Sequence, residues 1–132
     1  MKKERLYIEH PLRSQSLSAI WEHISTAEGL STWLADDVKE EQGFLIFTWG
    51  DLHRHHEIRR AQILKRIKNN YMRLRWEDDE DSTAFLEMRI KHNDLTNEYL
   101  LNVTDFADEE DIDSLADLWE DNFDRLHRNA GM

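Results

Sequence analysis

Asp108-Glu109-Glu110-Asp111-Ile112-Asp113-Ser114-Leu115-Ala116-Asp117-Leu118-Trp119-Glu120-Asp121-Asn122-Phe123-Asp124-Arg125-Leu126 puts a large apolar side chain at every third or fourth position. Ile112, Leu115, Trp119, Phe123 and Leu126 thereby fall on one side of a helix about four turns long. Asp108 is placed to cap it, and Glu109 to Asp111 sit where carboxylates favour the positive end of the helix dipole. Such a stripe must be buried. It predicts a second apolar surface in the chain for the helix to cover.

Upstream the period is two. Leu45, Phe47 and Trp49 alternate with Phe44, Ile46 and Thr48 before a Gly50-Asp51 turn. Ala61 and Ile63 lie in a basic strand from Arg59 to Ile67, followed by a turn at Asn69-Asn70. Met72, Leu74 and Trp76 oppose Tyr71, Arg73 and Arg75. After Glu77 to Asp81, Ala84, Leu86, Met88 and Ile90 oppose Phe85, Glu87 and Arg89. His92-Asn93-Asp94 turns the chain into a last strand with Tyr99, Leu101 and Val103 on one face. A first strand, Arg5 to Leu12, points Leu6, Ile8 and His10 one way and ends near Pro11. Between it and Val38, Leu17, Ile20, Trp21 and Ile24 recur at helical spacing, with Ser14 or Ser16 as N-cap. Past Thr26-Ala27-Glu28-Gly29, Leu30, Trp33 and Leu34 give a second stripe of about two turns. A sheet with one apolar face and a helix with one apolar stripe satisfy each other. The expected fold is α+β, with the C-terminal helix laid across an antiparallel sheet.

A length of 132 residues with one proline and no linker-like stretch predicts a single domain spanning 1–132. The absence of cysteine removes disulfides, thiolate metal sites and a cysteine nucleophile. Met1 to Arg5 leads straight into strand, with no apolar run of signal-peptide or membrane-spanning length, so a cytoplasmic location is expected. A net charge of −11 repels nucleic acid and anionic membranes. Basic residues concentrate between Arg54 and Arg75 and acidic ones in Glu77 to Asp81 and Asp105 to Asp124, a pattern read as solvated faces.

Trp21-Glu22-His23-Ile24-Ser25-Thr26-Ala27-Glu28-Gly29-Leu30-Ser31-Thr32-Trp33, then Phe47-Thr48-Trp49-Gly50, Met72-Arg73-Leu74-Arg75-Trp76 and Leu118-Trp119-Glu120 with Leu126 resemble the activator of Hsp90 ATPase homologue (AHSA1-like) family. That family belongs to the START-like (SRPBCC) helix-grip superfamily. The resemblance implies a curved antiparallel sheet of about seven strands, two short helices after strand 1, and a C-terminal helix packed across the sheet. It also implies a cavity between sheet and helix, in a superfamily that includes lipid and hormone carriers, cyclase-like enzymes and chaperone activators.

The leading expectation is a non-catalytic binding domain for an apolar or amphipathic, lipid-like small molecule in that cavity. Its candidate lining is Trp33, Leu45, Phe47, Trp49, Met72, Leu74, Trp76, Met88, Leu101, Trp119 and Phe123. Trp33, Trp49, Trp76 and Trp119 either fill a core or line an open pocket, where each indole N–H offers one donor to a ligand. Arg59, Arg73 and Arg75 would receive an acidic head group if they stood at the cavity mouth. The alternative is a chaperone-associated, protein-binding module whose Arg54, Arg59, Arg60, Arg66, Arg73 and Arg75 dock on an acidic partner. A third reading is a cyclase- or hydrolase-like enzyme using His10 with Glu9 or His23 with Glu22. Adjacent strand residues point to opposite faces and adjacent helix residues do not face one another, which disfavours both pairs. No nucleophile elbow, zinc-protease helix or phosphate loop is present. His53-Arg54-His55-His56, with Asp51 and Glu57, could offer imidazoles at alternate strand positions, but an arginine lies inside the cluster and an exposed loop or strand start fits it better. Glu77 to Asp81 lacks the ligand spacing of a calcium loop and reads as a solvated hairpin tip. Neither metal nor cofactor is expected.

Overall fold

Period-two segments become strands in the computed structural model, which describes residues 3–51 and 53–132. The elements are β1 (Glu4–Pro11), α1 (Leu17–Ser25), α2 (Ala27–Leu30), β2 (Asp37–Glu41), β3 (Phe44–Gly50), β4 (His56–Ile67), β5 (Tyr71–Trp76), β6 (Leu86–Asn93), β7 (Glu98–Ala107) and α3 (Ile112–Ala130). The strands form one curved antiparallel sheet in the order β1-β7-β6-β5-β4-β3-β2. Consecutive strands β2 to β7 pair as a meander, and β1 closes against β7 with Leu6 opposite Asp105 and Ile8 opposite Val103. Helices α1 and α2 therefore carry the chain from one sheet edge to the other.

That crossing depends on a tight corner. Ser16 caps α1 by accepting from the Ala19 amide at 3.2 Å. Thr26 serves both helices, its hydroxyl donating to the Glu22 carbonyl at 2.8 Å and accepting from the Gly29 amide at 2.9 Å. A Cβ on Gly29 would stand 2.2 Å from the Glu22 carbonyl oxygen, so only glycine lets α2 approach α1 this closely. Helix α2 is shorter than its apolar stripe suggests. The Ser31 and Thr32 hydroxyls donate back to the Glu28 and Gly29 carbonyls and end it, so Trp33 and Leu34 enter the core from a turn.

Other boundaries also differ from the sequence expectation. Strand β4 starts at His56 and bulges between Ile63 and Lys65. Ala84 is buried but precedes β6, which starts at Leu86. Glu109–Asp111 form a 3₁₀ turn, and neither Asp108 nor Asp111 makes a side-chain capping bond, so α3 relies on its tertiary contacts and on Gly131 at its other end. The acidic tip is tied down: Lys3 places its ammonium 3.1 Å from Asp79 and its amide donates to Asp81 at 2.8 Å. These bonds and those from Thr83 hold the Asp81 carboxyl down at about 2, the Thr83 hydroxyl contributing most.

Candidate functional site

The inner sheet face and α3 are packed differently along the helix. In its second half Phe123 and Leu126 are buried, the Arg125 guanidinium donates to the Trp33 carbonyl at 3.0 Å, and Asn129 donates to the Thr32 carbonyl at 2.8 Å. In its first half Leu115 is half-buried and Leu118 is 50% exposed. Beneath these two leucines lies a cavity of about 90 Å³. Its aromatic walls are Phe47, Trp49, Trp76 and Trp119. Phe47 stacks on Trp49 with centroids 5.9 Å apart and meets Trp76 edge-on at 5.1 Å.

Two charged side chains complete the cleft. Arg59 points inward from β4 beside Phe47, with its guanidinium 4.1 Å from the Trp76 ring centroid. The same guanidinium makes a two-pronged pair with Asp78, at 3.0 and 2.7 Å, which holds the Asp78 carboxyl below its ordinary range. Asp105 follows Leu101 and Val103 on the inner face of β7 and is only 8% exposed. It accepts from the Trp119 indole at 2.9 Å and from the Phe106 amide at 2.8 Å. Burial pushes its pKa up to about 6 against the pull of those bonds and, more weakly, of Arg59 and Lys3. A second hollow of about 150 Å³ shares Arg59, Trp76, Asp105 and Leu115 with the cleft and leads to Lys3, Asp79, Asp108 and Asp111.

Of the eleven candidate lining residues, Phe47, Trp49, Trp76 and Trp119 surround this cleft. Trp33, Leu45, Met72, Leu74, Met88 and Leu101 are fully buried in the solid core. Phe123 lies at a different place, stacked on the His10 ring at 4.1 Å beside a polar groove of about 590 Å³. That groove is the larger hollow, yet Arg13, Glu98, Asp124 and His127 line it beside Leu12, Phe123 and Met132, and this mostly polar wall suits an apolar ligand poorly. Three of the four indole donors expected to meet a ligand are engaged within the protein: Trp33 with the His23 carbonyl, Trp49 with the Leu34 carbonyl and Trp119 with Asp105. Buried donors find partners wherever the fold offers them.

The arginines divide by strand parity. Arg59 stands at the cleft, whereas Arg73 and Arg75 project from the outer face of β5, Arg73 onto Glu87 at 2.7 Å and Arg75 onto the Ser82 carbonyl. Arg60 and Arg66 lie 3.3 and 2.6 Å from Glu77 and Glu40. Much of the basic surface is thus already matched by the protein's own carboxylates. The catalytic pairs do not assemble: Glu9 is exposed while His10 packs on Phe123, and His23 bonds the Ala19 carbonyl, away from Glu22. His53 to His55 lie in an exposed turn, and only His56 belongs to β4, so the imidazoles do not occupy alternate strand positions. Asp105, Leu115 and Leu118 were absent from the expected lining. Asp105 was legible in principle, since it continues the inward parity of Leu101 and Val103.

A family description, the START-like superfamily domain, matches residues 1–132. The chain belongs to the START-like superfamily. Among solved structures, BfR322 from Bacteroides fragilis is 34% identical, covering 97% of this START-like chain and 91% of that one, with a TM-score of 0.64. The Aha1 dimer from Colwellia psychrerythraea is 11% identical over 97% of this chain and 98% of that one, with a TM-score of 0.70. CalU16 from Micromonospora echinospora is 13% identical over 96% and 75%, with a TM-score of 0.68. At such identities the last two share the fold alone. Among curated proteins none matches the chain in sequence. No helix among the described residues is long and apolar enough to cross a membrane.

Proposed function

We propose that this START-like domain binds a small apolar or amphipathic molecule in the cleft between the inner sheet face and the first half of α3, without transforming it. The supporting observation is the contrast along that interface: solid packing around Leu126, and an aromatic-walled cavity under Leu115 and Leu118. START-like domains typically bind ligands. The cavity is smaller than the roughly 300 to 1,000 Å³ of most small-molecule sites. A larger ligand would therefore enter by displacing Leu115 and Leu118 with the first turns of α3. Native mass spectrometry of freshly purified protein, paired with thermal shift against apolar compounds, tests the reading. A ligand at one hundred times its Kd stabilises by about 2.7 kcal/mol. The absence of both co-purified mass and any thermal shift would overturn the proposal. It includes a cytoplasmic location, which a cysteine-free chain suits and cell fractionation tests.

One observation favours a second reading. Asp105 gives the cleft a carboxyl whose pKa lies near neutrality, the range a general acid or base uses. Catalysis of the cyclase or hydrolase kind would be supported by a turnover that Asp105→Asn abolishes while ligand binding persists. The protein-partner reading draws on the fold shared with an Aha1 dimer. A partner's carboxylates would have to displace Asp78, Glu77, Glu40 and Glu87 from the arginines they already hold. Arg59 serves poorly as a surface probe because it lines the cleft, so Arg66→Glu with Arg73→Glu is the appropriate pair for a salt-dependent pull-down.

A further inference from the structure

Asp105 is a carboxylate buried at the junction of the aromatic cleft and the hollow that leads away from it. Its two hydrogen-bond donors, the Trp119 indole and the Phe106 amide, are both neutral. The cations that line the same space are held elsewhere, Arg59 by two bonds to Asp78 and Lys3 by Asp79. Among the described residues no ion pair reaches Asp105. A polar ligand group emerging from the cleft would next meet Asp79, Asp108 and Asp111.

Resting on the binding reading above, we infer that the ligand carries a protonated amine on an apolar body, the ammonium pairing with Asp105 while the body lies against Trp49, Trp76 and Trp119. Several independent features converge on it. The fold has already removed Asp105 from water, so an ammonium that reaches it makes a short charge-assisted bond without a fresh desolvation of the carboxylate. Indole faces attract cations; Arg59 already covers that of Trp76, and those of Trp49 and Trp119 also bound the cleft. An anionic head group would meet Arg59 and Lys3 there only by displacing Asp78 and Asp79, and would otherwise face Asp105, Asp108 and Asp111 on a chain of net charge −11. Fatty acids and anionic lipids are disfavoured on that ground. An ammonium beside Asp105 would also favour its ionised form, reversing the effect of burial. At pH 6 binding an amine should therefore release about half a proton per ligand, whereas binding a neutral alcohol should release none. The charged or titratable groups around Asp105 in that experiment are Arg59 from β4, Lys3 ahead of β1, Asp79, and Asp108 and Asp111 ahead of α3.

The test uses three probes of one shape: 4-phenylbutylamine, 4-phenylbutanol and 4-phenylbutyrate. Titrations at pH 7 follow the indole N–H NMR signals of Trp49, Trp76 and Trp119. The amine should bind roughly tenfold more tightly than the alcohol, about one charge-assisted bond's worth, and the carboxylate should bind weakest. Asp105→Asn, nearly isosteric, should erase the amine's advantage over the alcohol. Calorimetry of the unaltered protein in buffers of different ionisation enthalpy reads the proton release and needs no variant. An alcohol or carboxylate that matches the amine, an amine preference that survives Asp105→Asn, or binding without proton release overturns the inference and leaves the cleft as a binding site. If none of the three probes moves the indole signals, the inference and the binding reading fall together.

Discussion

The two halves of α3 come from one uninterrupted stripe, yet they meet the sheet differently. Around Leu126 the helix is pinned by Arg125 and Asn129 to the turn after α2, over a core built on Trp33 and Leu101. Around Leu115 and Leu118 it passes over Trp49 and Trp76, and its buried polar link to the sheet is the bond from Trp119 to Asp105. The second half behaves as an anchor and the first as a cover. The lesson is that a helical stripe specifies which face turns inward, while the side chains opposite it decide whether the contact closes.

The largest effect should separate the halves outright. Leu126→Ala should cost about 2 to 5 kcal/mol in urea-monitored unfolding. Leu118→Ala should stay within about 0.5 kcal/mol. Equal losses would break the distinction. Next in size is Arg125→Ala, which leaves the Trp33 carbonyl without its side-chain donor and should cost about 1 to 3 kcal/mol. Native-state hydrogen exchange should then show residues 122–129 losing protection toward the level of residues 112–118.

A smaller effect concerns pH. The folded pKa of Asp105 lies above the ordinary aspartate value of 3.8, at about 6, so the native state binds the proton first. Its contribution to stability is therefore fully present below about pH 4 and is lost as pH rises through 6, amounting to roughly 1 kcal/mol between pH 5 and 7. His10 acts oppositely, because burial lowers its pKa and favours the neutral ring as pH rises through its ordinary range. The comparison of unaltered protein with Asp105→Asn isolates the aspartate: the difference in stability should change by that amount over the window, and a constant difference would contradict the assignment. A last variant is Leu115→Trp, whose larger ring should occupy the cleft. It should leave stability within about 1 kcal/mol and abolish probe binding in the NMR titration.

The strand segments, the inward parity of Leu45, Phe47, Met72, Leu74 and Leu101, and the apolar face of α3 were all legible because burial on one side imposes a period. Segments without a period were read less well. The second stripe overstated α2, since the Ser31 and Thr32 hydroxyls that terminate it act through local bonds that hydrophobic spacing does not register. Asp108 offered a cap and made none. The candidate lining mixed cleft with core for the same reason. Trp33 and Trp76 share an inward signature, but Trp33 is fully buried while Trp76 remains partly exposed beside Arg59.

By itself the chain's periodicity determined the sheet, its inner face and the helix that covers it, because each is a consequence of local period and of the need to bury one face. Only the tertiary structure decided where that burial is incomplete. The cleft exists because α3, pinned at one end by Arg125 and Asn129, passes over the large, partly exposed rings of Trp49 and Trp76 at the other. Those are relations between residues tens of positions apart. No window of sequence short enough to carry a period contains both partners.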